Sequence, residues 1–526
     1  MHEFIAKHQD HITGVLSGFD RLVFRGTLRT LSWVEGMNQY LRANHVLLKD
    51  FGSHVETVSR RLKQASEAEA IRTGRPVRYL PSAATRKEEI ARQIAAADGM
   101  TTGLVCILKA VEPCQSFEVY RNRETKKLEL QPRRRQCLFL YHYWMHPQLG
   151  FLHARLQTWF PFSIQVCLNG REWLARQMDQ AGVEYVRQGN CFPWIENWSR
   201  AQGLMDQQVR AQWPQLLHQI AQQLNPLHAE IFHAFAVKYY WSTYQSEWAI
   251  DLAFRNVATL QRLYPRLLRH GMTNLGSADV LRYLGRYLPL SGQVPKRFHG
   301  EVVSDLKQRP EGVRIKHRLN GNSVKLYDKA YTPVGSLLRA ETTLQQADDI
   351  RVYRPKEGDP GGALAWRQMR RGIADLHRRA QVSAQATQRY LDALASVEED
   401  TTLEELVQRL SQPRHWRQRR VRALHPFAPE DRQLLQAVSR GEFTVNGFRN
   451  RDLRRLFFAG EPQTEREARR RSAWVSRRIR LLRAHGLVHK LPGTHRYQLS
   501  SMGRKVITAV LTALRSTVQQ LAAAAA

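Results

Sequence analysis

The stretch that decides the fold of this chain is NSVKLYDKAYTPVGSLLRAETTL, residues 322–344. Its first half alternates apolar and polar residues, which is typical of a β-strand with two different faces. One face carries Lys325, Tyr327 and Lys329, and an antiparallel return strand brings back Arg339 and Glu341. A tyrosine, three cations and a carboxylate are therefore expected to converge on one surface.

The sequence around this stretch extends the β-rich pattern. The turn LNGN, residues 319–322, joins GVRIKHRL to it, because Asn-Gly readily adopts the positive φ values of tight turns. SEWAIDLAF, from residue 246, and GEVVSDL, from residue 300, predict two further strands. Upstream, residues 103–168 contain six short β-rich runs separated by turn-forming or charged residues, which predict an antiparallel sheet there as well.

The fold class expected from these patterns is α+β, with an antiparallel-sheet core with helices, a helical connector and a C-terminal winged-helix domain. A length of 526 residues is enough for about two to four domains. We predict an N-terminal α/β region, a β-rich core with the catalytic or nucleic-acid site, a helical connector and the winged helix, at residues 1–102, 103–350, 351–412 and 425–526. A reversal of charge predicts a linker near 410–424.

The composition is strongly basic. Lysine and arginine number 80 against 47 acidic residues, which gives a formal net charge of +33. Nucleic acid is the expected partner, and a membrane is not, because no apolar run approaches the ~18 residues of a span. The five cysteines form no close CxxC pair, which favours reduced thiols over disulfides or a zinc ribbon. We expect a cytoplasmic protein, nucleoid-associated if the host is bacterial.

The C-terminal segment 427–500 has its predicted helices and strands in winged-helix order, with a long helix from about 464 to 485. Val475, Ile479 and Leu482 form the buried stripe of that helix. Arginine, serine and histidine pair with phosphates and base edges. The long helix and the hairpin tip carry the side chains expected to contact nucleic acid: Arg469, Ser472, Ser476, Arg477, Arg480, Arg483, His495 and Arg496. The hairpin region resembles MarR-like and PadR-like winged-helix proteins. The alternative is a winged helix that binds protein and has a solvated arginine face.

The KLYDK strand followed by LRAE resembles a pair of strands in replication initiators of rolling-circle plasmids and filamentous phages, and in related relaxase-like proteins. SEWAIDLAFRN and FDRLVFRG resemble two earlier strands of those proteins. The resemblance implies a divalent metal, Mg²⁺ or Mn²⁺, bound by Asp251 and Glu341. It implies that Lys325 and Lys329 bind the scissile phosphate and that Tyr327 is a candidate nucleophile, with Arg339 as a further catalytic residue.

The chain departs from the family pattern at two points. Trp248 and Ala249 stand where an arginine is usual, and no pair of histidines flanks a hydrophobic residue. His153, in FLHARLQTWF, is the best substitute as a metal ligand. Its alternative interpretation is a histidine of the core or the surface.

Two further alternatives concern the catalytic groups. VKYYWSTYQSEW, residues 237–248, is interpreted as a helix, and its Tyr239, Tyr240 and Tyr244 are alternative nucleophiles. The 322–344 stretch could instead be an ordinary amphipathic hairpin in which Glu341 pairs with a lysine.

A second candidate for contact with nucleic acid is the aromatic cluster between residues 139 and 160. Arg133, Arg134 and Arg135 lie beside it in the sequence. Aromatic rings stack on unpaired bases and arginines hold the backbone of a single strand. The alternative is that these rings belong to the core of the sheet.

Two functions follow from these observations. The first is a mobile-element-type initiator, relaxase or transposase-like enzyme that nicks one DNA strand with a tyrosine and a divalent metal. The second is a non-catalytic protein that forms a ribonucleoprotein with a structured RNA, read by its shape and unpaired bases. Either protein could act as a homodimer, since winged-helix proteins often bind paired half-sites.

Overall fold

The computed structural model of the chain describes residues 3–275, 277–285, 301–309, 312–348, 350–359, 361–395, 402–443, 447–514 and 516–519. It has a mixed α and β architecture. The strands in chain order are β1 Ile12–Thr27, β2 Val77–Leu80, β3 Gly103–Arg121, β4 Leu128–His146, β5 Gly150–Gln157, β6 Ile164–Asn169, β7 Tyr185–Gln188, β8 Cys191–Ile195, β9 Tyr240–Phe254, β10 Val302–Arg309, β11 Gly312–Leu319, β12 Asn322–Thr332, β13 Gly335–Leu344, β14 Arg351–Arg354, β15 Ala365–Gln368, β16 Arg414–Trp416, β17 Arg419–Val421, β18 Val488–Lys490 and β19 Tyr497–Leu499.

The helices are distributed along the whole chain. They are α1 Glu3–Lys7, α2 Val34–Ala43, α3 Phe51–Arg72, α4 Lys87–Ala97, α5 Gly170–Ala181, α6 Trp198–Arg210, α7 Trp213–Leu224, α8 His228–Ile231, α9 Val257–Thr273, α10 Ser277–Tyr283, α11 Leu376–Leu394, α12 Leu403–Leu410, α13 Pro429–Val438, α14 Asn450–Phe457, α15 Glu465–Ala484 and α16 Ser501–Ala513.

One large sheet organises the chain up to residue 344. Within the described ranges it has eleven strands in the order β10-β11-β12-β13-β9-β1-β6-β5-β4-β3-β2. The pair β2–β3 is parallel and the other neighbours are antiparallel, so the sheet is mixed. The six β-rich runs predicted between 103 and 168 are four strands, because the runs on either side of residues 113–115 and 133–136 join into the long strands β3 and β4.

β1 is a central strand, between β6 and β9. Arg21 lies opposite Asn169 on one side and Glu247 on the other. Residues 12–27, which the sequence placed in an N-terminal region, therefore join the two β-rich blocks into one sheet. The helix predicted over residues 237–248 is wrong, because residues from Tyr240 onward belong to β9.

The predicted hairpin around LNGN is confirmed. β11 pairs with β12 from Arg314 opposite Tyr327 to Leu319 opposite Asn322. Asn320 has a φ of 53°, the left-handed conformation that a tight turn requires. β12 then pairs with β13, and the register sets Lys325 opposite Glu341 and Tyr327 opposite Arg339. The convergence expected from residues 322–344 is therefore a feature of the fold.

The two faces of this part of the sheet differ sharply. Ile250, Leu252 and Leu338 point to one side and form a buried cluster with residues of α9, α10 and α11. Side chains alternate between faces along a strand, so Asp251, Arg339 and Glu341 lie on the other side. We call that side of the sheet, which carries Tyr143, His153, Arg21, Glu247, Glu341, Lys325 and Tyr327, the polar face.

The C-terminal region contains a separate hydrophobic cluster, which includes residues of α12, α13, α15 and α16. Among the described residues, the helices α13, α14 and α15 are followed by the hairpin β18–β19 and by α16. The short strand predicted at 442–448 is not found: Glu442 and Phe443 are helical, residues 444–446 lie outside the described ranges, and Phe448 makes an isolated bridge to Tyr497. That the region forms a winged-helix domain stays a prediction.

The segment predicted as a linker near 410–424 is folded. It forms the hairpin β16–β17, and the backbone N–H of Leu424 donates to the carbonyl of Leu410 at 2.9 Å. Leu424 is fully buried in the C-terminal cluster. Across the described residues, no helix combines the length and the apolar character needed to cross a membrane.

Two buried histidines predict a loss of stability in acid. Burial lowers the pKa of His142 and of His317 to about 4. An unfolded histidine has a pKa of ~6.5, so the unfolded chain binds more protons between these values, and stability falls as the pH falls through that window. We expect a loss of up to ~1.4 kcal/mol per pH unit for each histidine.

Urea unfolding at pH 7 and pH 5 tests this expectation. His142→Phe is a suitable variant, because the imidazole stacks on Trp144 and a phenyl ring can keep that contact without a titratable group. The free energy of unfolding of the variant should depend less steeply on pH than that of the unmodified protein. Equal slopes would show that His142 does not contribute.

Candidate functional site

Three carboxylates from three strands meet on the polar face. Asp20 lies on β1, Glu247 on β9 and Glu341 on β13, and one oxygen of each lies within 4.8 Å of the others. Asp20 and Glu341 are buried, and Glu247 is partly exposed. We call these three residues the acidic cluster. Carboxylate oxygens at this spacing could hold a metal ion, and hard divalent cations prefer such ligands.

A β-bulge lies at Asp20. The register between β1 and β9 shifts between Phe19 opposite Trp248 and Arg21 opposite Glu247, so Asp20 is the extra residue. Bulges redirect a side chain and recur beside functional sites. Without the shift, alternation would place Asp20 on the opposite face from Arg21.

Lys325 neutralises part of the acidic cluster. Its Nζ donates to Glu341 and lies 3.8 Å from Oε1 of Glu247. Burial disfavours the charge of Lys325, but Glu341 and Glu247 outweigh that effect and raise its pKa. Burial raises the pKa of Glu341 in spite of the opposing effect of Lys325. A salt bridge between Glu341 and a lysine, one of the alternatives from the sequence, is therefore present.

Asp251, expected to bind the metal, is instead held by two arginines. Its Oδ1 accepts from Nε of Arg339 at 2.5 Å, and its Oδ2 accepts from Nη2 of Arg339 and Nη2 of Arg171, both at 2.8 Å. Burial would raise the pKa of Asp251, yet Arg339 and Arg171 outweigh it and hold the pKa below its ordinary value. Both arginines are fully buried. Asp251 is outside the group that could hold a metal, and both of its oxygens accept from these guanidinium groups.

Arg339 connects this ion network to the acidic cluster. Its Nη1 donates to Oδ1 of Asp20 at 3.0 Å and its Nη2 to the carbonyl of Asn190 at 2.8 Å. Two aspartates and two arginines thus balance each other in the interior. A guanidinium that donates to a carboxylate, to a second carboxylate and to a backbone carbonyl fixes their positions, so we regard Arg339 as a positioning residue.

The start of α5 explains how Arg171 reaches Asp251. The side chain of Asn169 caps the helix by accepting from the N–H of Arg171 at 2.8 Å. At Gly170 a Cβ would lie only 1.7 Å from the carbonyl oxygen of Phe19, so only glycine allows this approach to β1. The sequence NGR therefore docks the helix against the sheet and directs Arg171 inward.

Lys329 and Tyr327 lie beside the acidic cluster on β12. Nζ of Lys329 donates to Oδ1 of Asn190 at 3.0 Å, and it lies 5.0 Å from the ring centroid of Tyr327. Burial raises the pKa of Tyr327 to about 12, and Glu341 adds in the same direction. The tyrosine is half-buried and therefore reachable from solvent. In this state it is a neutral phenol that needs activation to act as a nucleophile.

The three alternative tyrosines occupy different places. Tyr239 donates to the carbonyl of Phe162 at 3.0 Å, and Tyr240 has the guanidinium of Arg29 at 4.0 Å from its ring centroid. Tyr244 lies at a second register shift between β1 and β9, three residues before Glu247, and accepts from Nε2 of Gln345 at 3.1 Å. Of the three, Tyr244 is thus the one closest to Glu247 along β9.

His153 does not belong to the acidic cluster. It lies on β5, opposite Tyr143 and Cys167, and three strands away from Glu247 in the sheet order. Burial lowers its pKa to about 4, so the imidazole is neutral. His153 was predicted to complete the metal site with Asp251 and Glu341. Its distance of three strands from Glu247 contradicts that prediction. Of the three predicted metal ligands, Glu341 alone is a member of the acidic cluster.

The basic residues predicted on the long helix are mostly accessible. On α15, Val475, Ile479 and Leu482 are buried as predicted. The exposed set on this helix and the hairpin tip is Arg469, Ser476, Arg477, Arg480 and His495. Ser472 and Arg483 are half-buried; Ser472 donates to Asn450, and Arg483 lies over the ring of Trp416.

Arg496 corrects the expectation for the hairpin tip. It is buried, donates from Nη1 to the carbonyl of Gly447 at 3.1 Å, and lies 4.0 Å from the ring centroid of Tyr353. A guanidinium in this position stabilises the packing of the hairpin and is not available to a phosphate. His495, the neighbouring residue, remains exposed.

The aromatic residues between 139 and 160 form core rather than an open platform. Phe139, Tyr141, Tyr143 and Phe160 are all buried. The three arginines beside them differ: Arg133 pairs with Glu118, Arg134 is exposed, and Arg135 lies 4.1 Å from the ring centroid of Trp159.

Sequence reasoning missed Asp20, Glu247 and Arg171. Asp20 stands in FDRLVFRG and Glu247 in SEWAIDLAF, both stretches that resemble initiator strands, so the strands were identified but not their acidic residues. Three distant strands must come together to form the cluster, and the bulge at Asp20 gives no sequence signal. Comparisons of the chain with protein-family models, curated proteins and solved structures find no match in any of the three.

Proposed function

We propose that the protein is a nucleic-acid-binding, metal-dependent DNA strand nickase of the mobile-element type. The observation that carries this proposal is the acidic cluster, assembled from three strands within reach of a half-buried tyrosine and two lysines. A metal site, a nucleophile and cations for a phosphate are the three components that tyrosine-dependent strand cleavage needs. The net charge of +33 favours the same class of substrate.

In this proposal, different residues of the polar face have different roles in the reaction. Asp20, Glu247 and Glu341 would hold the cation, and Lys329 would bind the scissile phosphate. The phenol oxygen of Tyr327 attacks phosphorus, the bond from phosphorus to one bridging oxygen breaks, and that oxygen takes up a proton while the phenol proton leaves to solvent. A bound Mg²⁺ or Mn²⁺ would stabilise the charge that develops on the phosphate.

Lys325 has a different role in this proposal. With its Nζ beside Glu341 and Glu247, it reduces the repulsion between these two carboxylates when no cation is bound. A divalent cation would compete with it for Glu341. Displaced from Glu341, the ammonium group would be available to a phosphate oxygen of the substrate.

The C-terminal region supplies the recognition surface in this proposal. We infer that α13, α14, α15 and the hairpin β18–β19 form a winged helix, with the exposed arginines of α15 on duplex DNA. Arg477 and Arg480 are exposed and outside the ion pairs of the described residues. Arginines of this kind donate to phosphates and to guanine edges.

A covalent adduct tests the enzyme directly. The protein is incubated with single-stranded DNA and Mn²⁺ and resolved on a denaturing gel, where a protein–DNA band should form. We expect Tyr327→Phe to abolish the band. Tyr331→Phe is the matched control on the same strand, because its hydroxyl donates to Asp328 at 2.9 Å and is outside the cluster. A band that survives in Tyr327→Phe and disappears in Tyr244→Phe would assign the nucleophile to Tyr244 instead.

A second function is supported by the salt bridge between Lys325 and Glu341. If this pair only stabilises the sheet, the polar face is a binding surface and the protein is a non-catalytic component of a ribonucleoprotein with a structured RNA. Such a protein would copurify with an RNA of defined length after nuclease-free lysis. Its RNA affinity would be indifferent to Tyr327→Phe, and DNA would remain intact with either metal.

A further inference from the structure

A cavity opens on the polar face beside the acidic cluster. It has a volume of about 500 Å³, within the roughly 300–1,000 Å³ of small-molecule sites. Its floor is made by Tyr141 and Tyr143 of β4 and by His153 of β5, and its wall by the start of α4 with the residues before it. The rings of Tyr143 and His153 have centroids 5.0 Å apart.

Two polar groups in this cavity have no partner among the described residues. Tyr143 is 1% exposed, and its hydroxyl makes no hydrogen bond to the protein. The imidazole of His153 makes ring contacts with Tyr141 and Tyr143 but likewise no hydrogen bond. Both residues line the cavity, and neither the hydroxyl nor the imidazole nitrogens are sealed from it, so both are available there to a ligand that donates and accepts hydrogen bonds.

The charges around the cavity favour an uncharged ligand over a phosphate. Each cation in its lining already has a carboxylate partner: Arg86 with Glu89 at 2.7 Å, Lys87 with Glu112 at 3.1 Å, and Arg92 with Glu88 at 2.9 Å. The groups left over, the Tyr143 hydroxyl and the neutral His153, suit an uncharged ligand. Aromatic rings, a phenol hydroxyl and an imidazole together match a flat ring system with polar edges, which is the chemistry of a nucleobase.

The cavity is close enough to the acidic cluster to bind the same strand. Arg21 lies opposite Glu247 in the register, and its Nη2 is 3.5 Å from Oε2 of Glu88 in the cavity wall. β9 and β5 are three strand spacings apart in the sheet. At ~4.8 Å per spacing, the distance between the two strands is about 14 Å. A single strand lying across the polar face would therefore reach the cavity a few nucleotides from the acidic cluster.

We propose that this cavity accepts one unpaired nucleobase of the bound strand and thereby fixes which phosphate lies at the acidic cluster. The inference rests on the proposed function, because it assigns the cavity to the same substrate. Tyr143 and His153 contact the edge of the base through hydrogen bonds, and the backbone continues over Arg21 toward Glu247.

Binding of short single strands tests the proposal without requiring cleavage. The probes are dye-labelled oligonucleotides of about 16 nucleotides: homopolymers of dA, dC and dT, and a strand of the same length that is abasic throughout. Fluorescence anisotropy in EDTA gives the four affinities for the unmodified protein, for Tyr143→Phe and for His153→Phe. Tyr120→Phe is the control, since its hydroxyl donates to Glu129 at 2.9 Å, outside the cavity.

We expect the unmodified protein to bind at least one homopolymer more tightly than the abasic strand. Each cavity variant should weaken that preference about fivefold to tenfold, the effect of losing one buried hydrogen bond, and leave the abasic strand unaffected. Tyr120→Phe should behave as the unmodified protein. The inference is overturned if the protein prefers no base, or if both cavity variants keep its preference.

The result is independent of the test of the proposed function. Covalent adducts combined with an unchanged base preference in the cavity variants would reject the cavity and leave the nickase standing. A base preference that depends on Tyr143, with no adduct under any condition, would reject the nickase and leave a cavity for unpaired bases.

Discussion

Glu341→Gln is expected to remove metal binding and strand cleavage together. Glu341 contributes one of three carboxylates to the acidic cluster, and a neutral amide is a much weaker ligand for Mg²⁺ or Mn²⁺. A cation present at about 100 times its dissociation constant stabilises a folded protein by ~2.7 kcal/mol. The Mn²⁺-dependent rise in melting temperature should therefore disappear, and adduct formation should fall about 10²-fold or more, since metal stabilisation of the transition state amounts to several kcal/mol.

The control for this variant is another carboxylate paired with a cation on the same sheet. Glu118→Gln is suitable, because Glu118 pairs with Arg133 on the β3–β4 hairpin, far along the sheet from β13. It should leave both readouts unchanged. The melting temperature of Glu341→Gln without metal shows whether the variant folds. A folded variant that keeps the Mn²⁺-dependent shift would contradict the assignment of the metal site.

Arg339→Met is expected to destabilise the protein by about 3–5 kcal/mol, because it leaves buried carboxylates without their partner. Arg339 is 0% exposed and donates to Asp251, Asp20 and the carbonyl of Asn190. Without Arg339, Arg171 is the one guanidinium left in the network to balance the two carboxylates of Asp20 and Asp251. Asp20 would also lose the donor that holds it at the acidic cluster.

Urea unfolding followed by tryptophan fluorescence measures this effect. Arg318→Met is the matched control, because Arg318 is an exposed arginine on β11, two strands from β13 in the same sheet. Its effect should stay within about 0.5 kcal/mol. Arg339→Lys should fall between the two, since lysine keeps the charge but not the forked donor geometry. A loss below about 1 kcal/mol in Arg339→Met would show that the network contributes little.

The local pattern of residues 322–344 is sufficient to predict the pairing of β12 with β13. Alternation places Lys325, Tyr327 and Lys329 on one face and the antiparallel return brings Arg339 and Glu341 beside them, and the register sets Glu341 opposite Lys325. These expectations succeed because they depend on strands that are adjacent in the sequence. The turn LNGN could be predicted for the same reason, because a tight turn depends only on neighbouring residues.

The composition of the acidic cluster could not be predicted in this way. Asp20 and Glu341 are 321 positions apart, and their meeting depends on β1 entering the sheet beside β9. Asp251 is expected as a ligand because SEWAIDLAFRN resembles a strand of the initiator family. Whether such a carboxylate faces a metal or an arginine is decided by the docking of α5 and Arg171, which the pattern of β9 alone does not contain.

The misassigned segment 237–248 has a comparable cause. Its aromatic residues suit a helix or a strand, and the decision depends on pairing with β1, which lies more than 200 residues earlier. Arg496 illustrates the same limit at the C-terminus. An arginine at a hairpin tip resembles a phosphate contact in sequence, but the ring of Tyr353 and the carbonyl of Gly447 bury it.

The most direct test of the central claim is to map the covalent bond between protein and DNA. The protein is treated with single-stranded DNA and Mn²⁺, digested with trypsin and nuclease, and its peptides are measured by mass spectrometry. Cleavage after Lys325 and Lys329 isolates Tyr327 in residues 326–329, whereas Tyr244 falls in residues 239–255. The account predicts a nucleotide on the peptide 326–329, and its absence from every tyrosine-containing peptide, with DNA intact, would contradict it.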